Sequence, residues 1–149
     1  MIAISPMNEE NYTDAAAIEA ECFFDRPWTA EQFKEELDIE FSRTYIAYSG
    51  EKAVGFVNLW LTPPTATINN IAVLPSERRM GTADKLFEAA ENACEGLEEL
   101  TLEVRVSNAP AISLYEKHGL KNVGRRRNFY ENPREDAFIM TKELRGEMD

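Results

Sequence analysis

The stretch Asn70-Ile71-Ala72-Val73-Leu74-Pro75-Ser76-Glu77-Arg78-Arg79-Met80-Gly81-Thr82-Ala83 changes period halfway along, and that change decides the fold. Its first part continues a strand that starts near Thr65, after the break at Pro63-Pro64, and ends at Val73. Beyond Gly81 the apolar residues Ala83, Leu86, Phe87, Ala90, Cys94 and Leu97 recur at spacings of three and four, the period of an amphipathic helix. Strand, turn and long helix in this order aim several backbone N–H groups and the positive helix end at one place, which suits an anion. Gly81 lets a ligand approach the backbone, Ala83 keeps the next position small, and Arg78 and Arg79 add positive charge. Diphosphate is the natural candidate. R-x-x-G-x-A alone equally describes an ordinary connection in which Gly81 eases a turn and the arginines are solvated. Neither G-x-G-x-x-G nor G-x-x-x-x-G-K-S/T occurs.

Working outward toward the N-terminus, Asn8-Glu9-Glu10 opens a helical pattern with Tyr12, Ala15, Ile18 and Cys22 on one side, and Thr29-Ala30-Glu31-Gln32 is a capping box ahead of Phe33 and Leu37. Tyr45 to Tyr48 and Val54 to Trp60 flank Ser49-Gly50-Glu51-Lys52 as a hairpin. Toward the C-terminus, Leu100-Thr101-Leu102-Glu103-Val104-Arg105-Val106 alternates strictly, apolar at even positions and polar at odd ones, so Glu103 points away from Leu102 and Val104. Pro110 and Gly119 bracket a short helix with Ile112, Leu114 and Tyr115, and closing strands run roughly from Lys121 to Arg127 and from Ala137 to Lys142. The order is strand, two helices, three strands, helix, strand, helix, two strands. It predicts an α/β (α+β) fold with a mixed, mainly antiparallel central sheet flanked by helices. With 149 residues and no repeat or linker, the expectation is a single domain over 1–149.

Composition narrows the function classes. A hydrophobic share of 44% and a charged share of 29% are those of a soluble globular protein, and no apolar run nears the roughly 20 residues that span a bilayer. Without a basic segment leading into an apolar one at the start, a cytoplasmic location is expected. Cys22 and Cys94 stand far apart, each on an apolar helix face, and the sole histidine, His118, lies at a helix end where a cation suits the dipole, so neither a disulfide framework nor a metal site is expected. A formal net charge of -11 argues against binding nucleic acid through phosphates and is compatible with a cationic partner. Arg125-Arg126-Arg127 reads as a charged strand facing acidic side chains.

The segments Asn70 to Pro75 and Arg78 to Ala83 resemble the acetyl-CoA site of the GNAT N-acetyltransferase superfamily, whose turn reads Q/R-x-x-G-x-G/A. The resemblance implies that Ile71 and Val73, with Ala72 between them, hold the pantetheine arm like an added strand. It implies further that Arg79, Met80, Gly81, Thr82, Ala83 and Asp84 cradle the pyrophosphate. One branch, the ribosomal-protein-alanine N-acetyltransferases, is similar over nearly the whole length. Pro27-Trp28-Thr29 matches its P-W-S/T, and Arg126-Arg127-Asn128-Phe129-Tyr130 with Glu135-Asp136-Ala137-Phe138-Ile139-Met140 matches its R-R-x-Y-Y and E-D-A-x-x-M tail. Phe129 stands where that branch usually has tyrosine, so it offers no hydroxyl to a substrate.

Acetyl transfer to an amine needs a neutral amine, a polarised carbonyl and a proton for the departing thiolate. The resemblance implies Glu103 as the base and Tyr115 as the acid. A glutamate at its ordinary pKa of about 4.3 is a weak base, so either a raised pKa or a water relay is expected, whereas a phenol near 10 stays protonated at neutral pH. Read without the family, Glu103 is a polar residue on an exposed strand face, paired for instance with Arg105, and Tyr115 packs beside Ile112 and Leu114. Asn108 suits both a helix cap and a coenzyme contact. The resulting expectation is an acetyl-CoA-dependent enzyme for the N-terminal α-amine, alanine first, of a small-subunit ribosomal protein with a basic tail. Its rivals are acetylation of a lysine side chain or small amine, and an acyl-CoA-binding module without turnover.

Overall fold

Strand pairing, more than any single helix, sets out the functional residues. The computed structural model describes residues 1–23, 26–78, 81–131 and 133–144. In chain order its elements are β1 (Ile2–Pro6), α1 (Tyr12–Cys22), α2 (Ala30–Glu36), β2 (Ser42–Ser49), β3 (Lys52–Thr62), β4 (Thr65–Val73), a 3-10 turn (Pro75–Glu77), α3 (Thr82–Ala93), β5 (Glu99–Arg105), α4 (Ala109–Lys117), β6 (Lys121–Tyr130) and β7 (Glu135–Glu143). The seven strands form one sheet in the order β1-β2-β3-β4-β5-β7-β6. The pairs β1 with β2, β2 with β3, β5 with β7 and β6 with β7 are antiparallel, and β4 with β5 is parallel. This is the mixed, mainly antiparallel sheet that the sequence pattern predicts.

Two compact units make up the chain: Met1–Leu61 with Asn69–Glu95, and Thr62–Ile68 with Gly96 onward. In the first, Met7, Ala15, Ile18, Phe33, Ile46, Phe56, Ala72 and Leu74 form a buried core. The aromatic rings of that core meet tilted or edge-on, Trp28 to Phe33 at 5.4 Å and Phe33 to Phe56 at 5.3 Å between centroids, as the ring quadrupole favours. The expected capping box starts α2, with Thr29 Oγ1 accepting from the Gln32 amide at 3.2 Å and Gln32 Oε1 from the Thr29 amide at 2.8 Å. Helix α1 begins later than its pattern suggests, because Asn8 and Asn11 bond each other's backbone in a turn that ends just before Tyr12. In the second unit Leu100, Leu102 and Val104 are buried while Glu103 and Arg105 are partly exposed, the expected alternation of β5.

Candidate active site

In the first unit, β4 and the start of α3 carry the expected coenzyme residues. Pairing of β4 with β5 covers Thr65–Ile68 against Glu99–Leu102, and among the described residues that edge of β4 has no strand partner beyond Ile68. The Ala72 carbonyl faces Gly55 of β3, and the Leu74 amide bonds the Val54 carbonyl at 2.9 Å. Because backbone groups alternate along a strand, those of Ile71 and Val73 turn to the open edge. One of them is already used: the Val73 carbonyl accepts from Arg78 Nε at 3.0 Å and from the Cys22 thiol at 3.6 Å. Arg78 thereby ties the turn back to β4 while remaining exposed.

Gly81 is the N-cap of α3 at φ 78°, left-handed backbone that glycine adopts without strain, and the space above it is open. Thr82, the first residue of the helix, is 1% exposed, and among the described residues its hydroxyl has no hydrogen-bond partner. An orphaned hydroxyl of this kind costs roughly 1–3 kcal/mol. An anion seated on the turn would satisfy it together with the helix N–H groups, so these residues fit a phosphate. Ala83 and Asp84 follow in the first turn of α3, where the Asp84 carboxylate suits the helix dipole. Arg79 and Met80 lie outside the described residues.

In the second unit, Glu103 projects from the half-exposed face of β5 and pairs with Arg126 of β6. The sequence suggested Arg105 as its partner. Arg105 instead pairs with Glu135 at 3.1 Å, drawn there by the carbonyls of the turn between β6 and β7, which it also bonds. Tyr115 sits on α4, 6% exposed. Burial first, then the nearby Tyr130 phenol, holds its pKa well above the usual phenol range, so it stays protonated. Tyr130 is pushed up to about 12, by burial and then by the charge of Glu103, with Arg105 working in the opposite direction. Tyr130 therefore shares an electrostatic neighbourhood with both Glu103 and Tyr115. Asn108 caps α4 through Oδ1, which accepts from the Ala111 amide at 3.3 Å, and it is exposed.

Several participants escape sequence reasoning. Tyr130 is visible there only as part of a tail motif, and its nearness to Glu103 depends on β6 pairing with β7. The ladder of β6 is interrupted between Arg126 and Tyr130, where Asn128 takes φ 52° and its amide bonds Asp136 Oδ1 at 2.8 Å. Asp136 Oδ2 accepts from Arg125 Nε at 2.7 Å, so the arginine strand does face acidic side chains. In the first unit Glu19 is only 3% exposed although it follows the apolar face of α1; its carboxylate bonds the Trp28 amide at 2.9 Å and Asn70 Nδ2 at 2.8 Å. Burial raises its pKa against the lowering effect of the Trp28 amide. Cys94 is buried and Cys22 packs partly against the core, as expected of helix-face cysteines. Among the described residues no cluster of three or more histidine, cysteine or acidic side chains is placed to hold a metal, and no helix is long and apolar enough to cross a membrane.

The profile of the Acetyltransferase (GNAT) family matches residues 12–120. A Bacillus subtilis (strain 168) protein, provisionally named a ribosomal protein bS18-alanine N-acetyltransferase, is 35% identical over 141 residues, 93% of each chain. The ribosomal protein bS18-alanine N-acetyltransferase of Escherichia coli (strain K12) is 36% identical over 118 residues, 76% of this chain and 79% of that one. The crystal structure of the Escherichia coli ribosomal-protein-S18-alanine N-acetyltransferase superposes with a TM-score of 0.87 at 33% identity, covering 97% of this chain and 94% of the other. A crystal structure of the NatC complex bound to Gag peptide and CoA superposes with a TM-score of 0.83 at 27% identity, covering 96% of this chain and 98% of the other. Enzymes of this family transfer an acetyl group from acetyl-CoA, and by its matched profile, its relatives and its sheet topology the chain belongs to the GNAT acetyltransferases.

Proposed function

We propose that residues 1–149 form a single N-acetyltransferase domain that acetylates the N-terminal α-amine of a small-subunit ribosomal protein, with alanine as its first residue. The group made by Glu103, Tyr130 and Tyr115 carries this reading: a carboxylate on an accessible strand face and a buried, protonated phenol, both within the electrostatic reach of a second phenol. The named substrate of the Bacillus subtilis and Escherichia coli relatives supports the choice of acceptor. So does charge, because a basic protein tail suits a chain of net charge -11. The acceptor implies action in the cytoplasm, where ribosomal proteins are made.

Acetyl-CoA supplies the acetyl group as a thioester and departs as the thiol. The backbone of Ile71, Ala72 and Val73 binds the pantetheine arm, and the turn from Arg79 to Asp84, with Thr82 contributing its hydroxyl, holds the phosphates. Asn108 caps α4 and contacts the coenzyme. Glu103 takes the proton that the acceptor's ammonium must lose before nitrogen can attack. In the free protein this carboxylate is engaged by Arg126, but with side chains 58% and 29% exposed the pair is worth roughly 0–1 kcal/mol, so an incoming ammonium can displace it. An α-amine with an ordinary pKa of about 8 needs far less help than a lysine amine near 10.4. Tyr115, which burial keeps protonated, gives its phenolic proton to the departing sulfur.

Thiol release from acetyl-CoA, followed with peptides that start with alanine and carry either a free or a blocked N-terminus, tests this reading. Release is expected with the free peptide alone. Equal release with the blocked, lysine-containing peptide would contradict it.

A further inference from the structure

The assignment of base and acid leaves Arg105 without a role, yet its side chain is held at several points. From β5, opposite Ala137 of β7, Nη1 donates to the Pro133 carbonyl at 2.9 Å and to Glu135 Oε1 at 3.1 Å. Nη2 donates to the Glu131 carbonyl at 3.1 Å. The guanidinium carbon also lies 4.3 Å from the centre of the Tyr130 ring, within cation–π range. Glu135 is gripped from its other side by the Ser107 amide at 2.7 Å, and it stands opposite Tyr130 in the β6–β7 ladder. One cation therefore joins the turn between β6 and β7, the carboxylate that faces Tyr130 and the flat side of the Tyr130 ring. Only a planar guanidinium can serve these directions at once; an ammonium is a single point.

We propose that Arg105 is a positioning residue for acetyl transfer: by holding the turn and the face of Tyr130, it fixes where the Tyr130 hydroxyl stands relative to Glu103 and Tyr115. The consequence is geometric. Loss of the guanidinium lets the ring swing, and the two groups that move protons lose the neighbour that orders them. The proposal rests on the roles given above to Glu103 and Tyr115.

The test is a double-mutant cycle with Arg105→Lys and Tyr130→Phe, measuring kcat and both KM values with acetyl-CoA and a free-amine acceptor that wild type acetylates, with thermal unfolding recorded for each protein. If Arg105 acts through Tyr130, each single variant loses about tenfold in kcat at a near-unchanged KM for acetyl-CoA, and the double variant loses no more than the worse single. Glu135→Gln leaves the guanidinium in place but loosens its aim, and serves as a milder arm: about a threefold loss that disappears in the Tyr130→Phe background. Losses that multiply in the double variants, or Arg105→Lys with wild-type kcat, would overturn the proposal. Wild-type turnover on lysine but not on the α-amine would refute the proposed acceptor alone, and the same cycle on that acceptor still decides the role of Arg105. No turnover on any amine would overturn both.

Discussion

Replacing Gly55 of β3 with alanine should weaken coenzyme binding although Gly55 is not among the residues assigned to the coenzyme. A Cβ there would lie 2.8 Å from the Ala72 carbonyl oxygen, 3.1 Å from Leu86 Cδ1 and 3.3 Å from Val73 Cγ2. The Leu86 and Val73 methyls can turn aside, but the carbonyl moves only if β4 moves. Carbon–oxygen contacts between strands settle at about 3.3–3.6 Å, so β3 and β4 must part locally by roughly 0.5 Å. Overpacking of this kind costs about 1–3 kcal/mol. At ~2 kcal/mol, Tm falls by about 4–8 °C in a domain of this size. Displacing Ala72 also drags Ile71 and Val73, whose open-edge groups are assigned to the pantetheine arm. Losing one such hydrogen bond, worth ~1 kcal/mol net, lowers coenzyme affinity by about five- to tenfold. Calorimetric titration with coenzyme A, beside thermal unfolding, reads both effects. A protein destabilised as stated but with wild-type affinity for coenzyme A would refute the placement of the arm on this edge.

Tyr115→Phe should cut kcat by about a hundredfold, the usual size of a general-acid contribution, while calorimetry finds coenzyme affinity unchanged. Gly81→Asp should do the reverse: nothing stands near the new Cβ, so the protein folds, but left-handed backbone costs up to about 1–2 kcal/mol and the carboxylate repels phosphate, and the KM for acetyl-CoA should rise at least about tenfold. Asp136 has its pKa lowered by the Asn128 amide and then by Arg125, so its carboxylate stabilises the fold above the unfolded-state pKa and that contribution is lost as pH falls through the folded-state value. Asp136→Asn should therefore be less stable than wild type at neutral pH in urea unfolding, with the difference closing at acid pH.

What was legible in the sequence is what local chemistry controls. The capping box at Thr29, the three-and-four spacing of Leu86, Phe87 and Ala90, and the alternation of Leu100, Leu102 and Val104 each specify an element and its buried face, and all stand in the structure as expected. The strand ends were harder. Ser42-Arg43 and Tyr130 lie where no clean alternation runs, and they belong to strands because β3 and β7 pair with them. Ion-pair partners escaped for a related reason. Arg105 and Arg126 flank Ala137 from the two neighbouring strands, and which of them meets Glu103 depends on register across β7. The burial of Glu19 likewise follows from two distant hydrogen-bond donors, Trp28 and Asn70, that no periodicity reveals.

In the proposed reaction acetyl passes to an α-amine whose proton Glu103 takes. Fragment-ion mass spectrometry of a peptide that begins with alanine and contains a lysine, after incubation with acetyl-CoA and either wild-type protein or Glu103→Gln, tests it most directly. Wild type should place acetyl on the alanine nitrogen alone, and the variant should form product about a hundredfold more slowly. Acetyl on the lysine side chain, or equal rates for the two proteins, would contradict it.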